Sequence, residues 1–256
     1  MTDFASRPGA AVVTGGTGGI GTAVCRLLAA RGASVALTYR SNAAAAEDLV
    51  AELSASGVRA VADPVDLTDA AATAEHIASV QERFGEIHTV VHAAGPHIPM
   101  VHLSTVPPDR YATQLHQEAT AFFTLVHAAL PALRRSAGSV VAVTTAATRR
   151  YPVRDGLSAG TKGAVEALVR AFAAEEGRFG VRFNCVGPGM LTDGMAERLI
   201  SSGELDEQAL AVARGNIPLR RFGSAADVAE AVAFLACGRS GFITGQKLDV
   251  DGGYGV

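Results

Sequence analysis

The sequence predicts one doubly wound α/β domain spanning residues 1–256, a parallel sheet of about seven strands with helices on both faces. Three observations predict it. Short runs that are apolar on both faces alternate with longer segments of helical period, the pattern of a parallel sheet buried on both sides. The first such run ends in a glycine-rich turn that opens directly into a helix. No Pro/Gly/Ser-rich linker, internal repeat or low-complexity tract divides the chain.

The elements follow in order. Ala10–Thr14 is a short apolar strand ending in glycine. Ile20, Val24, Leu27 and Leu28 then fall at i, i+4, i+7 and i+8, one face of a first helix. Residues 34–38 form a second strand and 43–56 a second helix, whose Ala-rich start suits it. Residues 58–61, 87–92, 139–144 and 181–186 read as further strands, with helices over 70–84, 107–134 and 157–179 between them. A last helix over 225–237 precedes a strand over 247–250. Right-handed crossovers between parallel strands complete the doubly wound arrangement. Residues 196–214 carry Glu197, Arg198, Glu204, Asp206 and Glu207 and read as a solvated helical insertion. Beyond the carboxyl ends of the strands such a segment serves as a lid over a ligand, or as a plain surface excursion.

Composition excludes several classes. Hydrophobic residues make up 48% of the chain and charged residues 18%, enough apolar material for a large core and too much for disorder. The 22 Lys+Arg and 25 Asp+Glu leave a net charge of −3, which gives no overall attraction to nucleic acid or an anionic membrane. No apolar run approaches bilayer-spanning length, and the segment before Pro8 is not a secretory signal. Cys25, Cys185 and Cys237 are odd in number and far apart, so neither disulfides nor a metal site is expected. A cytoplasmic protein with buried, reduced cysteines fits these facts.

The segment Thr14-Gly15-Gly16-Thr17-Gly18-Gly19-Ile20-Gly21 lies between the first strand and the first helix. A pyrophosphate held at a helix N-terminus needs close backbone approach, and glycines at 15, 19 and 21 permit it. In this context the segment resembles the fingerprint of the short-chain dehydrogenase/reductase superfamily. His92-Ala93-Ala94-Gly95 is similar to that family's Asn-Ala-Ala-Gly. Asn184-Cys185-Val186-Gly187-Pro188-Gly189 is similar to its Asn-x-Val-x-Pro-Gly. Residues 217–223, 243–246 and 251–253 resemble its C-terminal segments, and the nearest subgroup is that of the 3-oxoacyl-carrier-protein reductases. The resemblance covers nearly the whole chain. It implies a nicotinamide cofactor against residues 15 and 17–21, 92–95, Pro188 and Gly189.

A carboxylate at the end of the second strand would hold the ribose hydroxyl of NAD, whereas a basic residue receives the phosphate of NADP. This chain reads Thr38-Tyr39-Arg40-Ser41-Asn42, with no acid. Arg40 offers a forked contact to phosphate and Ser41 a hydroxyl donor, so NADP(H) is expected over NAD(H). Asp66 and Leu67 resemble the family's adenine-contacting pair; Asp66 alternatively caps the helix that begins near Asp69.

The resemblance also implies a tetrad: a Tyr that exchanges a proton with the substrate oxygen, a Lys four residues on, a Ser thirteen residues before the Tyr, and an Asn on the preceding helix. Lys162 matches. Ser158 stands at the Tyr position, Thr145 at the Ser position and Glu118 at the Asn position. Thr keeps the hydroxyl, but an aliphatic alcohol does not titrate where a phenol does. The proton path must then run through water held by Ser158, Thr145 and Lys162, or through another residue, or no reaction occurs. Tyr151, His97 and His116 are candidate substitutes. Glu118 reads either as a general base beside Lys162 or as a partly exposed helix charge. Arg149, Arg150 and Arg154 offer a phosphate handle on an acyl thioester, or are simply solvated.

The expected function is therefore an NADP(H)-dependent oxidoreductase acting on a carbonyl or alcohol, either a small molecule or an acyl thioester, with an atypical proton relay. The alternatives are a catalytically silent, cofactor-binding subunit paired with an active paralogue, and a non-redox lyase or isomerase. The resemblance implies a homotetramer or dimer. The stripe Val165, Leu168, Val169 and Phe172 serves either that assembly or docking on the chain's own sheet.

Overall fold

A computed structural model describes residues 2–96, 98–193 and 207–256, without the side chains of 207 and 209. Its strands are β1 Ala10–Thr14, β2 Ser34–Tyr39, β3 Ala60–Pro64, β4 Ile87–His92, β5 Ser139–Val143, β6 Arg182–Pro188 and β7 Lys247–Val250. Among the described residues they form one seven-stranded sheet in the order β3-β2-β1-β4-β5-β6-β7, parallel throughout. The chain starts at β1 and winds outward, then returns to the other side through β4. Thr14 pairs with His92, so the carboxyl ends of β1 and β4 open side by side at the point where the winding reverses. That is where a doubly wound sheet presents a crevice.

The helices are α1 Gly19–Ala30, α2 Ala43–Ala55, α3 Ala70–Phe84, α4 Pro108–Leu115, α5 Ala121–Ser136, α6 Gly156–Glu176, α7 Glu207–Gly215 and α8 Ala225–Ala236. Strand side chains alternate between two cores. Ala11, Val13, Leu37, Val91 and Val141 pack under α1, α2 and α8. Ala10, Val12, Val90, Val140 and Phe183 pack under α3, α5 and α6. Val165, Val169 and Phe172 belong to the second core, with Leu168 packed at its margin, so the α6 stripe docks on the chain's own sheet and is not free for assembly.

Two elements differ from the expectation. The third strand begins at Ala60 rather than Val58 and runs on to Pro64. Gly57, at φ +89°, makes the turn, and Val58 packs against the first core from that turn instead of pairing. A proline at the strand's end is tolerated because β3 is an edge. The helix expected over 107–134 is broken by a π-helical turn, His116–Thr120, between α4 and α5. This turn carries Glu118 and Ala119 to the buried side. Of the expected insertion 196–214, residues 196–206 lie outside the described residues, and the remainder belongs to α7.

Candidate active site

The turn after β1 has the shape that a diphosphate requires. Gly15 sits at φ +67°, and a Cβ there would stand 2.7 Å from the Ala94 Cα, so only glycine fits. A Cβ at Gly21 would come within 2.1 Å of the Gly15 carbonyl oxygen. Gly18 caps α1 without any side-chain hydrogen bond, leaving the first-turn N–H groups of the helix available. A cleft of about 460 Å³ begins here, lined among others by Gly15, Thr17, Gly18, Ala93, Ala94 and Gly95. At the ends of β2 and β3 its walls are Arg40 and Ser41 on one side and Asp66 and Leu67 on the other. An adenosine diphosphate half fits this donor set: small residues for close approach, a helix N-terminus for the diphosphate, a cation for added phosphate. Asp66 does not cap α3. Its Oδ1 accepts from the Thr68 N–H at 3.0 Å and hydroxyl at 2.7 Å, which holds its carboxyl below the usual range. Asp69 is the cap, accepting from the N–H groups of Ala71 and Ala72.

Beyond Gly95 lies a cluster of ionisable groups. Glu118, on the π turn and 1% exposed, pairs with Lys162 Nζ at 3.1 Å. The other carboxylate oxygen has no hydrogen-bond partner among the described residues. A Cβ on Gly95 would meet that oxygen at 3.0 Å and Lys162 Nζ at 3.6 Å, so the backbone of the cleft floor rests directly on the ion pair. His92 is buried beside it, Nδ1 3.1 Å from the Thr14 hydroxyl. Burial, then the charge of Lys162, pushes its pKa down to about 3. His92 is therefore neutral near pH 7, tying the ends of β1 and β4 together. Thr145 opens the 3₁₀ turn Ala146–Thr148, and its hydroxyl oxygen accepts from the Ala147 N–H at 3.1 Å, leaving the O–H free to donate. Ser158 is buried in the first turn of α6, one turn before Lys162. Pro188 and Gly189 close β6, where the Gly189 N–H bonds to the Val250 carbonyl at 2.9 Å.

A family model described as enoyl-(acyl carrier protein) reductase matches residues 15–255. The chain belongs to the short-chain dehydrogenase/reductase superfamily. It is 34% identical over 252 residues to a chloroplastic tropinone reductase homolog of Arabidopsis thaliana, covering 96% of this chain and 75% of that protein. It is 31% identical over 244 residues to the 3-oxoacyl-(acyl-carrier-protein) reductase FabG of Staphylococcus aureus, covering 95% and 96%. Among solved structures, a blue fluorescent protein from a metagenomic library in complex with NADPH superposes with a TM-score of 0.88 at 30% identity, covering 99% of this chain and 100% of that one. A short chain dehydrogenase from Burkholderia cenocepacia J2315 in complex with NADP gives 0.87 at 30% identity, covering 98% and 100%. The superfamily is one of oxidoreductases that move hydride with a nicotinamide cofactor.

In this short-chain dehydrogenase/reductase several expected roles fall elsewhere. Tyr151 is 70% exposed, with no hydrogen bond from its hydroxyl to the cluster. His116 lines the cofactor cleft near Asp66 rather than facing Ser158. His97 lies outside the described residues. Glu118 is not a partly exposed charge but a buried partner of Lys162. The three loop arginines are exposed, and each also contacts the protein itself. Arg149 lies 3.9 Å from Asp249, Arg150 donates to the Tyr254 carbonyl and covers its ring, and Arg154 donates to the Met100 carbonyl. All three cysteines are buried and free, with burial raising Cys25 and Cys185 to about 12. One ionisable group was missed from sequence. Asp155 immediately precedes α6, and burial pushes its carboxyl up to about 6. The signal was its spacing, three residues before Ser158 and seven before Lys162, which places all three on one helical face.

Proposed function

We propose that this protein is an NADP(H)-preferring oxidoreductase that interconverts a carbonyl and an alcohol, on a small molecule or an acyl thioester, with a proton path that does not use a phenol. One observation carries the reading: a single cleft joins the glycine turn and Arg40 to Gly95, whose backbone rests on the Lys162–Glu118 pair. The NADPH and NADP complexes of two similar structures support the choice of nucleotide. The FabG relative supports an acyl thioester as the first substrate to try.

When bound, the nicotinamide supplies or accepts a hydride. The chain's own residues do the rest. The glycine turn and the start of α1 hold the diphosphate, and Arg40 with Ser41 holds the ribose phosphate. Thr145, its oxygen already accepting from Ala147, turns its O–H toward a substrate oxygen and stabilises the charge that develops there. Lys162 is kept in place by Glu118 and adds positive potential at the same end of the cleft. The chain is proposed to work as a homo-oligomer.

The test is a titration with NADPH and NADH followed by fluorescence, together with NADPH oxidation at fixed concentrations of an acetoacetyl thioester and of a cyclic ketone. NADPH is expected to bind at least about 10-fold more tightly than NADH, since a charge-assisted contact to phosphate contributes about 1.5–3 kcal/mol. Lys162→Ala is expected to abolish turnover. Failure of both nucleotides to bind overturns the reading.

A further inference from the structure

We propose that Thr148, Glu166 and Lys247 are positioning residues: they join the turn that carries Thr145 to the helix that carries Lys162 and so hold those two groups in one geometry. The proposal rests on the oxidoreductase reading above, in which Thr145 and Lys162 act at the substrate oxygen. The three positioning residues act through that pair and are not placed at the substrate.

Thr145 and Lys162 stand on different elements. Thr145 opens the 3₁₀ turn after β5, and Lys162 lies in the second turn of α6. The chain between them passes through exposed Arg149, Arg150, Tyr151, Val153 and Arg154, a solvent-facing loop that does little to fix one group against the other. Thr148, at the end of the turn, supplies a direct link. Its hydroxyl donates to Glu166 Oε1 at 2.8 Å and lies 3.2 Å from the Thr145 carbonyl oxygen, while its own oxygen accepts from Lys247 Nζ. Glu166 is buried and follows Lys162 by four residues, so the two side chains share a face of α6. Lys247 reaches in from β7, its Nζ 3.2 Å from Glu166 Oε1 and 3.0 Å from Asp249 Oδ1. The turn, the helix and the strand therefore meet at one ammonium.

Stability alone does not account for this node. Apolar side chains of the same volume would join three elements without desolvating an ammonium and two carboxylates, and such replacements are often neutral or stabilising. Hydrogen bonds add direction, which apolar contact lacks. The approach to Thr145 is also built for these side chains. Gly187, on β6, lies between β7 and the turn. A Cβ there would overlap Asp249 Oδ1 and Lys247 Cε and stand 3.2 Å from the Thr145 carbonyl carbon. The strand thus lacks a side chain at the point where the charged groups of β7 cross it to reach the Thr145 backbone. Misplacing a reacting group by about 1 Å costs up to about 100-fold in rate, so a link that fixes the turn against α6 is felt in turnover.

The test is steady-state NADPH oxidation with the acetoacetyl thioester, read as kcat and KM separately, beside NADPH affinity by fluorescence. Thr148→Val keeps the shape of the side chain, removes the link and leaves the Lys247–Glu166 pair in place. It should lower kcat by about 10- to 100-fold with KM and NADPH affinity within about threefold. Thr148→Ser, which restores the hydroxyl, should return kcat to within about threefold of wild type. Gly187→Ala is the second variant: its methyl displaces only the far ends of Asp249 and Lys247, so the fold and NADPH affinity should survive while kcat falls as in Thr148→Val. In a Thr145→Ala background, Thr148→Val should cost less than about twofold more, because the group it positions is gone. With an active wild type, the positioning role alone is overturned by a Thr148→Val or Gly187→Ala variant within about twofold of the wild-type kcat. A loss that Thr148→Ser does not repair, or one that recurs in full without the Thr145 hydroxyl, overturns it equally. A wild type that binds NADPH yet turns over neither the thioester nor the cyclic ketone overturns the positioning role and the oxidoreductase reading together.

Discussion

At the scale of single residues, identity and role part company in this site. Lys162 and Glu118 were visible in the sequence because each fills a motif position, and the structure brings them to 3.1 Å. Asp155 fills none; its raised carboxyl comes from burial, which a linear pattern does not display. His92, first residue of the motif that resembles Asn-Ala-Ala-Gly, is held neutral by desolvation and the charge of Lys162. Arg40 is an exposed cation at the cofactor cleft with no carboxylate partner among the described residues. Its contribution is therefore open to measurement without breaking an ion pair. Arg40→Ala should weaken NADPH binding by about 10- to 100-fold, the worth of one forked contact to phosphate. It should leave NADH binding within about threefold, because the diphosphate site of Gly15–Gly21 is untouched. Equal losses for both nucleotides would show that Arg40 shapes the cleft instead of reading the phosphate.

At the scale of elements, the sequence located nearly every helix and strand but not the distortions that make the site. A run of apolar and helix-forming residues from 107 to 134 carries no mark of a π turn, since widening one turn changes neither period nor composition enough to register. Yet that turn sets Glu118 on the buried side against Lys162. The misplaced start of β3 has a different cause: Val58 is apolar because it packs against the first core from a turn, and apolarity alone does not distinguish the two uses. The start of α8 is held by a reciprocal cap. Ser224 precedes α8, accepts from the Asp227 N–H at 3.2 Å, and the Asp227 carboxylate accepts in return from the Ser224 N–H at 2.8 Å. This reciprocal pair anchors α8, which covers the face of the sheet that α1 shares. Ser224→Ala should cost about 1 kcal/mol and lower the melting temperature by about 2–4 °C, with NADPH affinity unchanged because the cap is remote from the cofactor cleft. A melting temperature within error of wild type would show that the Asp227 half of the pair suffices.

At the scale of the whole molecule, strand order was legible because strands buried on both faces allow few topologies once crossovers are right-handed. The burial that makes the topology legible also makes stability depend on pH. His88 is stacked on Phe4 at 5.7 Å and its Nε2 has no partner among the described residues. Burial, with Arg7 adding its charge, drives its pKa down to about 3, as burial and Lys162 do for His92. Both residues titrate near 6.5 once unfolded, so below that pH the unfolded chain takes up protons that the folded protein refuses. Their contribution is complete above pH 6.5 and declines as pH falls towards 3. Between pH 7 and pH 5 each should cost the fold about 2 kcal/mol. Asp155 acts in the opposite sense: its raised carboxyl binds a proton in the folded state first, returning about 1 kcal/mol over the same interval. The histidines win, leaving a net loss of about 2–3 kcal/mol between pH 7 and pH 5. The urea midpoint should fall accordingly, and His88→Phe should remove about half of the histidine contribution while keeping a ring against Phe4. An unchanged midpoint from pH 7 to pH 5 would mean that these imidazoles are solvated in the folded chain, and with them the ends of the two strands that open the cofactor cleft.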